Sequence, residues 1–345
     1  MPIETDVVII GAGPSGLFQV FELGLLGIGA HVVDSLARIG GQCTMLYPDK
    51  PIYDIPALPV CSGQELVDRL LAQIKPFSPT FHLGHEVDEL EGLGDGRFRL
   101  STSKGAVFLT RAVVIAAGLG SFQPRRLRVP GAQRHEGRTL HYKVTDRERL
   151  RGKRLVILGG GDSALDWALD LADIADRVTL VHRREEFRGA PASVVRLKML
   201  AAEYPERVAW RIGQVKGLVE EGDGLVGLKV ESLGGKTTTL PLDELLVFYG
   251  LSPDLGPIAN WGLEIEKRQI KVDTERFETS VPGIFAVGDI NVYPGKKKLI
   301  LSGFHEGALA AFGIQKRLSP EAKQYLQYTT TSPIMHERLG VSGAL

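Results

Sequence analysis

One strand, a glycine turn, a helix and a second strand, written twice, constrain this chain more than any other feature. The first copy, Thr5 to Ser35, reads TDVVIIGAGPSGLFQVFELGLLGIGAHVVDS. A strand runs to Ile10, the turn is Gly11-Ala12-Gly13-Pro14-Ser15-Gly16, an apolar helix extends to about Leu26, and a strand ends on Asp34. Gly11 permits the tight turn, Gly13 lets backbone approach a pyrophosphate, and Gly16 lets the helix pack closely on the strand. The pyrophosphate then meets the helix N-terminus, where free N–H groups and the dipole favour negative charge. Asp34, 23 positions after Gly11, is placed to accept hydrogen bonds from both hydroxyls of an adenosine ribose. It would repel a ribose carrying a 2′-phosphate.

The second copy, Lys153 to Arg184, reads KRLVILGGGDSALDWALDLADIADRVTLVHRR. Its turn is Gly159-Gly160-Gly161-Asp162-Ser163-Ala164, and 23 positions after Gly159 stands His182, followed by Arg183 and Arg184. The acid is gone and paired guanidiniums replace it, which suits a 2′-phosphate because Arg grips phosphate through charge-assisted hydrogen bonds. Arg188 can join them. The two copies therefore predict two dinucleotides, the second of them NADP(H).

Residues 7 to 33 are apolar enough to suggest a membrane span, but a Gly-Pro break, Glu22 inside the helix and an Asp at either end argue against insertion. At 345 residues with 43% hydrophobic content the chain predicts two lobes. Lys plus Arg (41) balance Asp plus Glu (41), so no global charge favours nucleic acid or an anionic membrane. The two cysteines, Cys43 and Cys61, form no disulfide framework, and no cleavable leader is visible, so a cytoplasmic protein is expected.

Gly40-Gly41-Gln42-Cys43, running on to Tyr47 and Pro48, reads as a loop with backbone lying against a ligand. Residues 63 to 75 carry helical periodicity, and 96 to 118 alternate as a hairpin that finishes in a buried strand. Residues 119 to 126 suit a crossover between lobes, and 207 to 253 a strand-rich remainder. Residues 283 to 289 (GIFAVGD) predict a short buried strand, and 301 to 317 an amphipathic helix that Ser302 can cap. Asp289 is placed to hold the ribityl hydroxyls of a flavin, with the positive end of that helix facing the pyrimidine edge. Residues 319 to 345 are polar, with little core-forming pattern.

Together VVIIGAGPSG, VVIAAG, LVILGGGDSA with VHRR, and GIFAVGD resemble the thioredoxin-reductase-like flavoproteins. The resemblance implies an α/β chain with two Rossmann-like dinucleotide-binding domains, the NADP(H) domain inserted into a discontinuous FAD domain. FAD would lie on 1–116 and 254–345, NADP(H) on 117–253, with a C-terminal extension from about 318. Thioredoxin reductases carry CxxC before the second glycine turn. Here residues 137–145 contain no cysteine, so electrons must leave for an external acceptor. Disulfide reductases of the glutathione reductase type place a second Cys where Pro48 stands, so Cys43 is read as a packed residue.

GGQ with LYPDKPIYDIP, TLHYKV, GGGDSALDWAL and the tail residues 328–332 narrow the resemblance to the second type of ferredoxin-NADP reductase. It implies hydride transfer from NADPH to FAD and single-electron steps to a ferredoxin or flavodoxin, or the reverse. The alternative is an NADPH oxidase or quinone reductase on the same scaffold. It further implies a homodimer whose tail covers the partner's flavin, and two aromatic residues sandwiching the isoalloxazine: Tyr47 on one face and Tyr328 on the other, with Tyr325 as rival for the second place. Thr329 would hydrogen-bond the flavin, and Gln42, Val87, Phe122 and Thr330 complete the set around it.

Overall fold

The structure of the protein, a computed structural model, describes residues 1–120, 123–144, 146–252, 254–323 and 325–341. Two compact units emerge: residues 1–121 with 253–345, and 122–252 inserted between them. The first cut lies beyond 116 because the chain there remains tied to the first unit. Ala116 N–H donates to the Ile10 carbonyl at 2.8 Å, and Asp254 N–H to that of Leu119 at 3.2 Å.

In the first unit β1 (Ile3–Ile10) is central, and Val7, Val8 and Ile9 have no exposed surface, as a strand covered on both faces requires. α1 (Pro14–Leu25) crosses to the parallel strand β2 (Ala30–Asp34), burying Leu17, Val20 and Leu23 against the sheet. A loop is expected next, yet Gln42–Leu46 form a short helix, α2. Thr44 Oγ1 donates to the Ile39 carbonyl at 2.9 Å and closes the turn that the glycines alone would leave open. α3 (Gly63–Ile74) starts at a capping box in which Glu65 N–H donates to Ser62 Oγ and Ser62 N–H to the Glu65 carboxylate. Then come β3 (Thr80–Leu83), β4 (Val87–Gly92), β5 (Phe98–Thr102) and β6 (Val107–Ile115), giving the order β3-β2-β1-β6-β5-β4. The inner strands are parallel, while β4, β5 and β6 form an antiparallel meander.

The second unit repeats the winding. β7 (Leu140–His141), β8 (Arg154–Leu158), β9 (Arg177–His182), β10 (Val208–Ile212) and β14 (Glu244–Val247) make a parallel sheet in the order β7-β14-β8-β9-β10. α4 (Asp162–Leu171) joins β8 to β9, and α5 (Pro191–Glu203) joins β9 to β10. Before β14, the strands β11 (Gln214–Glu221), β12 (Gly224–Glu231) and β13 (Thr237–Pro241) form a separate antiparallel sheet.

Back in the first unit, β15 (Ile284–Ala286) pairs parallel with the end of β6, and α6 (Ile300–Leu318) packs on α1 through Gly303, Gly307, Ala310 and Ala311. Ser302 does not cap α6. The chain arrives extended at Leu299, which takes the N-cap place, so Ser302 is already inside the first turn. The tail also departs from its polar pattern, since α7 (Pro333–Leu339) starts at Ser332, whose Oγ accepts from Met335 N–H at 3.3 Å. Met335 is buried, and Arg338 donates to the Leu25 carbonyl at the end of α1. None of the described helices is long and apolar enough to cross a membrane.

Docking of α7 gives a stability prediction. Met335→Ala should cost about 2 kcal/mol, the lower end for a buried Met truncation because the site is peripheral. Urea unfolding should show a lowered midpoint at unchanged slope, and an unchanged midpoint would mean that α7 does not dock.

Candidate functional site

The first glycine turn is shaped by missing side chains. Gly11 has φ +112°, a conformation that strains any residue with a Cβ, and its N–H donates to the Val33 carbonyl at 2.8 Å. A Cβ on Gly16 would lie 1.9 Å from the Gly11 carbonyl oxygen, so α1 rests directly on the turn. Gly13 is the N-cap of α1 and Pro14 its first residue, and no side chain closes the helix end. Those N–H groups stay available to an anion. Asp34 binds the turn to β2: Oδ2 accepts from Ala12 N–H at 2.6 Å and Oδ1 from Leu36 N–H at 2.8 Å. Burial pushes its carboxyl above the usual range, and the two N–H groups pull the other way.

The Gly40-Gly41 pair lies against this turn. Gly40 N–H donates to the Ala12 carbonyl at 2.9 Å, and a Cβ on Gly41 would stand 3.0 Å from the Gly13 Cα. Gln42 reaches towards Gly118, since a Cβ there would lie 3.4 Å from Gln42 Nε2. Tyr47 ends α2, half-buried, and its hydroxyl accepts from Cys43 Sγ at 3.7 Å. Burial raises both the Tyr47 hydroxyl and the Cys43 thiol. Asp289 acts electrostatically on both, which places it at the same end of the unit.

The C-terminal segment reaches the turn through Ser15. A Cβ on Gly288 would meet Ser15 Oγ at 2.8 Å, and one on Gly303 at 2.1 Å. Asp289 is half-buried, and its carboxylate has no hydrogen-bond partner among the described residues. The residues present fit a flavin adenine dinucleotide: an uncapped helix end, a glycine-lined floor, a buried acid at the end of β2 and an unpartnered carboxylate.

The sequence reading missed Glu306, Asn291, Tyr293 and Lys296. Glu306, fully buried on α6, accepts from Gly288 N–H at 2.7 Å, Asn291 Nδ2 at 2.8 Å and Tyr293 Oη at 2.9 Å, and pairs with Lys296. A signal existed: Glu306 shares the helical face of Gly303, Gly307 and Ala310, which a solvated Glu would not.

In the second unit Gly159 sits beneath the Phe248 carbonyl, and Gly161 opens α4 with nothing within 4 Å of its added Cβ. Ser163 is exposed in the first turn, and Ala164 is buried beneath it, where a Cβ on Gly159 would stand 2.7 Å from its own. Asp162 turns away to accept from Ala190 N–H at 2.8 Å, and Arg188 N–H donates to the Gly160 carbonyl at 2.7 Å. His182 is engaged with the loop itself. Its ring lies against Gly160, stacks on Phe187 at 5.2 Å and pairs through Nε2 with the Glu186 carbonyl at 3.1 Å. Burial holds its pKa below the usual value. Arg183, Arg184 and Arg188 are exposed, with no carboxylate partner among the described residues. They fit a phosphate.

Comparison with known proteins adds to this geometry. The family described as pyridine nucleotide-disulphide oxidoreductase matches residues 5–307. The chain belongs to that family. It is 60% identical over 340 residues to ferredoxin--NADP reductase 2 of Cupriavidus taiwanensis, covering 99% of this chain and 92% of that protein. Identity is also 60% to the ferredoxin--NADP reductase of Methylibium petroleiphilum, over 99% of this chain and 93% of that one. Among solved structures, thioredoxin reductase of Lactococcus lactis aligns with a TM-score of 0.75 at 24% identity, covering 92% of this chain and 99% of that one. Bacillithiol disulfide reductase of Staphylococcus aureus aligns with a TM-score of 0.76 at 19% identity, covering 93% of this chain and 100% of that one. At such identities the structures establish the fold alone.

Not every residue read as part of this oxidoreductase's site gathers at the first turn. The Val87 side chain is buried in the core beside Phe98 and Leu100, leaving only its backbone for a ligand. Phe122 lies outside the described residues. Tyr328 is exposed, as is its rival Tyr325. The Tyr328 carbonyl accepts from Ser332 N–H at 2.9 Å, and the Thr329 carbonyl from His336 Nε2 at 2.6 Å. Among the described residues, no hydrogen bond or ring contact joins Tyr328, Thr329 or Thr330 to the first turn of the same chain.

The turn yields a prediction. A Cβ on Gly13 would find its nearest neighbour, the Gly41 Cα, at 3.9 Å, so Gly13→Val should fold while its methyl groups fill the pyrophosphate's space. Purified Gly13→Val should keep the wild-type circular dichroism and lack flavin absorbance; full flavin loading would show that the dinucleotide lies elsewhere.

Proposed function

We propose that this protein is a ferredoxin–NADP reductase, moving electrons between NADPH and a ferredoxin or flavodoxin, with FAD as its cofactor. The observation that carries the reading is 60% identity, over 99% of the chain, to proteins bearing that name. Two glycine turns with opposite charge at the following strand end support it. FAD, when bound, converts between the two electrons of one hydride and two single-electron steps. The protein's own residues bind and orient. The α1 N-terminus and Gly13 receive the pyrophosphate, Asp34 the adenosine ribose, and Asp289 the ribityl chain. Tyr47, fixed by α2 and its contact with Cys43, covers one face of the ring. Gly161 and the α4 N-terminus receive the NADP(H) pyrophosphate, and Arg183, Arg184 and Arg188 its 2′-phosphate.

The tail has its place in the same reading. Tyr328 is exposed on its own chain and so is available to the flavin of a second copy in a cytoplasmic homodimer, with Thr329 and Thr330 beside it. Tyr328→Ala should then change the flavin spectrum during NADPH titration, whereas an unchanged spectrum would remove Tyr328 from the site.

Comparing NADPH-driven turnover with ferredoxin, flavodoxin, oxygen and a quinone tests the activity: the electron-transfer proteins should be reduced fastest. Faster turnover with oxygen or quinone would instead assign an oxidase or quinone reductase. Replacing both Arg183 and Arg184 by Ala removes contacts worth about 1.5 to 3 kcal/mol each, or roughly tenfold or more in affinity per contact. The KM for NADPH should rise and that for NADH stay nearly constant; equal changes would place the pair away from the phosphate. Cys43→Ser with Cys61→Ser should retain most turnover, and loss of turnover with flavin still bound would implicate a thiol.

A further inference from the structure

Gly288 is held by both of its polar backbone groups. Its N–H donates to Glu306 Oε2 at 2.7 Å, and its carbonyl accepts from Lys296 Nζ at 2.9 Å. Glu306 and Lys296 are an ion pair whose side chains are 0% and 5% exposed. Each Glu306 oxygen has two donors: Gly288 N–H and Asn291 Nδ2 at Oε2, Tyr293 Oη and Lys296 Nζ at Oε1. Desolvation makes such a pair a weak source of net stability, while removal of one member leaves a buried charge uncompensated. Directional bonds from a saturated carboxylate are, in contrast, an effective way to fix a position. The position fixed here is a glycine with φ +80°, packed against Ser15, and the residue after it is Asp289, whose carboxylate has no hydrogen-bond partner among the described residues.

We propose that Lys296 and Glu306 are positioning residues for the flavin, pinning Gly288 at both ends so that Asp289 is presented to the ribityl chain. This rests on the reading that the first unit binds FAD. Lys296 has a second effect, because its charge opposes the rise that burial imposes on the Asp289 carboxyl. Neither residue touches the reacting atoms.

The test separates the two halves of the cofactor. Full-length wild type, Lys296→Met, Glu306→Gln and the double variant are stripped of flavin and titrated with FAD and, separately, with ADP. ADP meets only the Gly11 to Gly16 turn and Asp34. The variants should bind FAD at least about tenfold more weakly, as expected for lost contacts to a charged group, with ADP affinity unchanged. A loss of FAD affinity no greater than that for ADP would overturn the inference, since general loosening weakens both. Should the single variants not fold, the double variant, which buries no unpaired charge, decides the matter. A wild type that binds ADP but takes up no FAD would overturn the functional reading itself, and the inference with it.

Discussion

The first turn of α1 must be approached by three other stretches of chain and still keep its N–H groups free. Gly41 comes up to Gly13, and Gly288 and Gly303 to Ser15, at separations where a Cβ would collide or nearly so. Sheet register makes the crowding unavoidable: Ile10 pairs with Ile115, and Ile115 with Ala286. Three parallel strands thus release their chains at one edge, the edge where open α/β sheets bind ligands. Glycine is the only residue that admits so much backbone to one place.

Both units wind alike, so charge at the end of the second strand is what separates them. Asp34 is buried and spends one lone pair of each oxygen on backbone N–H groups, which orients it without exhausting its capacity to accept. At the matching position His182 is folded over Gly160, and the charge passes to the exposed Arg183 and Arg184. A buried carboxylate acts at short range and is little screened, whereas exposed guanidiniums weaken as salt rises. Under the proposed function, the affinity of the second unit for a 2′-phosphate should therefore depend on ionic strength more than that of the first for a ribose.

Both glycine turns, their strands and their helices were legible because each local choice agrees with the next: β-branched strand, glycine turn, apolar helix. α2 was hidden because its helix is held by Thr44 bonding back to Ile39, a contact with no periodicity to announce it. α7 left a fainter mark in Ser332 followed by Pro333, a cap and a first-turn proline before a single buried Met335. The inward turn of His182 has no sequence signal, since its target is the backbone of Gly160. Glu306 was legible in principle through its register on α6, but its partners come from the loop at 288–296, and pattern within one helix does not reveal them.

Cys43 shows why a residue type beside a site is not a role. A thiol reacts as its thiolate, and burial, reinforced by the Asp289 carboxyl, raises its pKa; the contact with the Tyr47 hydroxyl only partly opposes this. Cys43 is therefore protonated at neutral pH and poorly nucleophilic. Cys61 is buried as well, and its thiol is also raised. Pro48 stands where disulfide reductases of the glutathione reductase type place their second sulfur. Held by α2 and packed against α3, Cys43 fills space behind Tyr47 and steadies its ring. In this reading the sulfur serves the electron path only through packing, and electrons leave the site for a separate molecule.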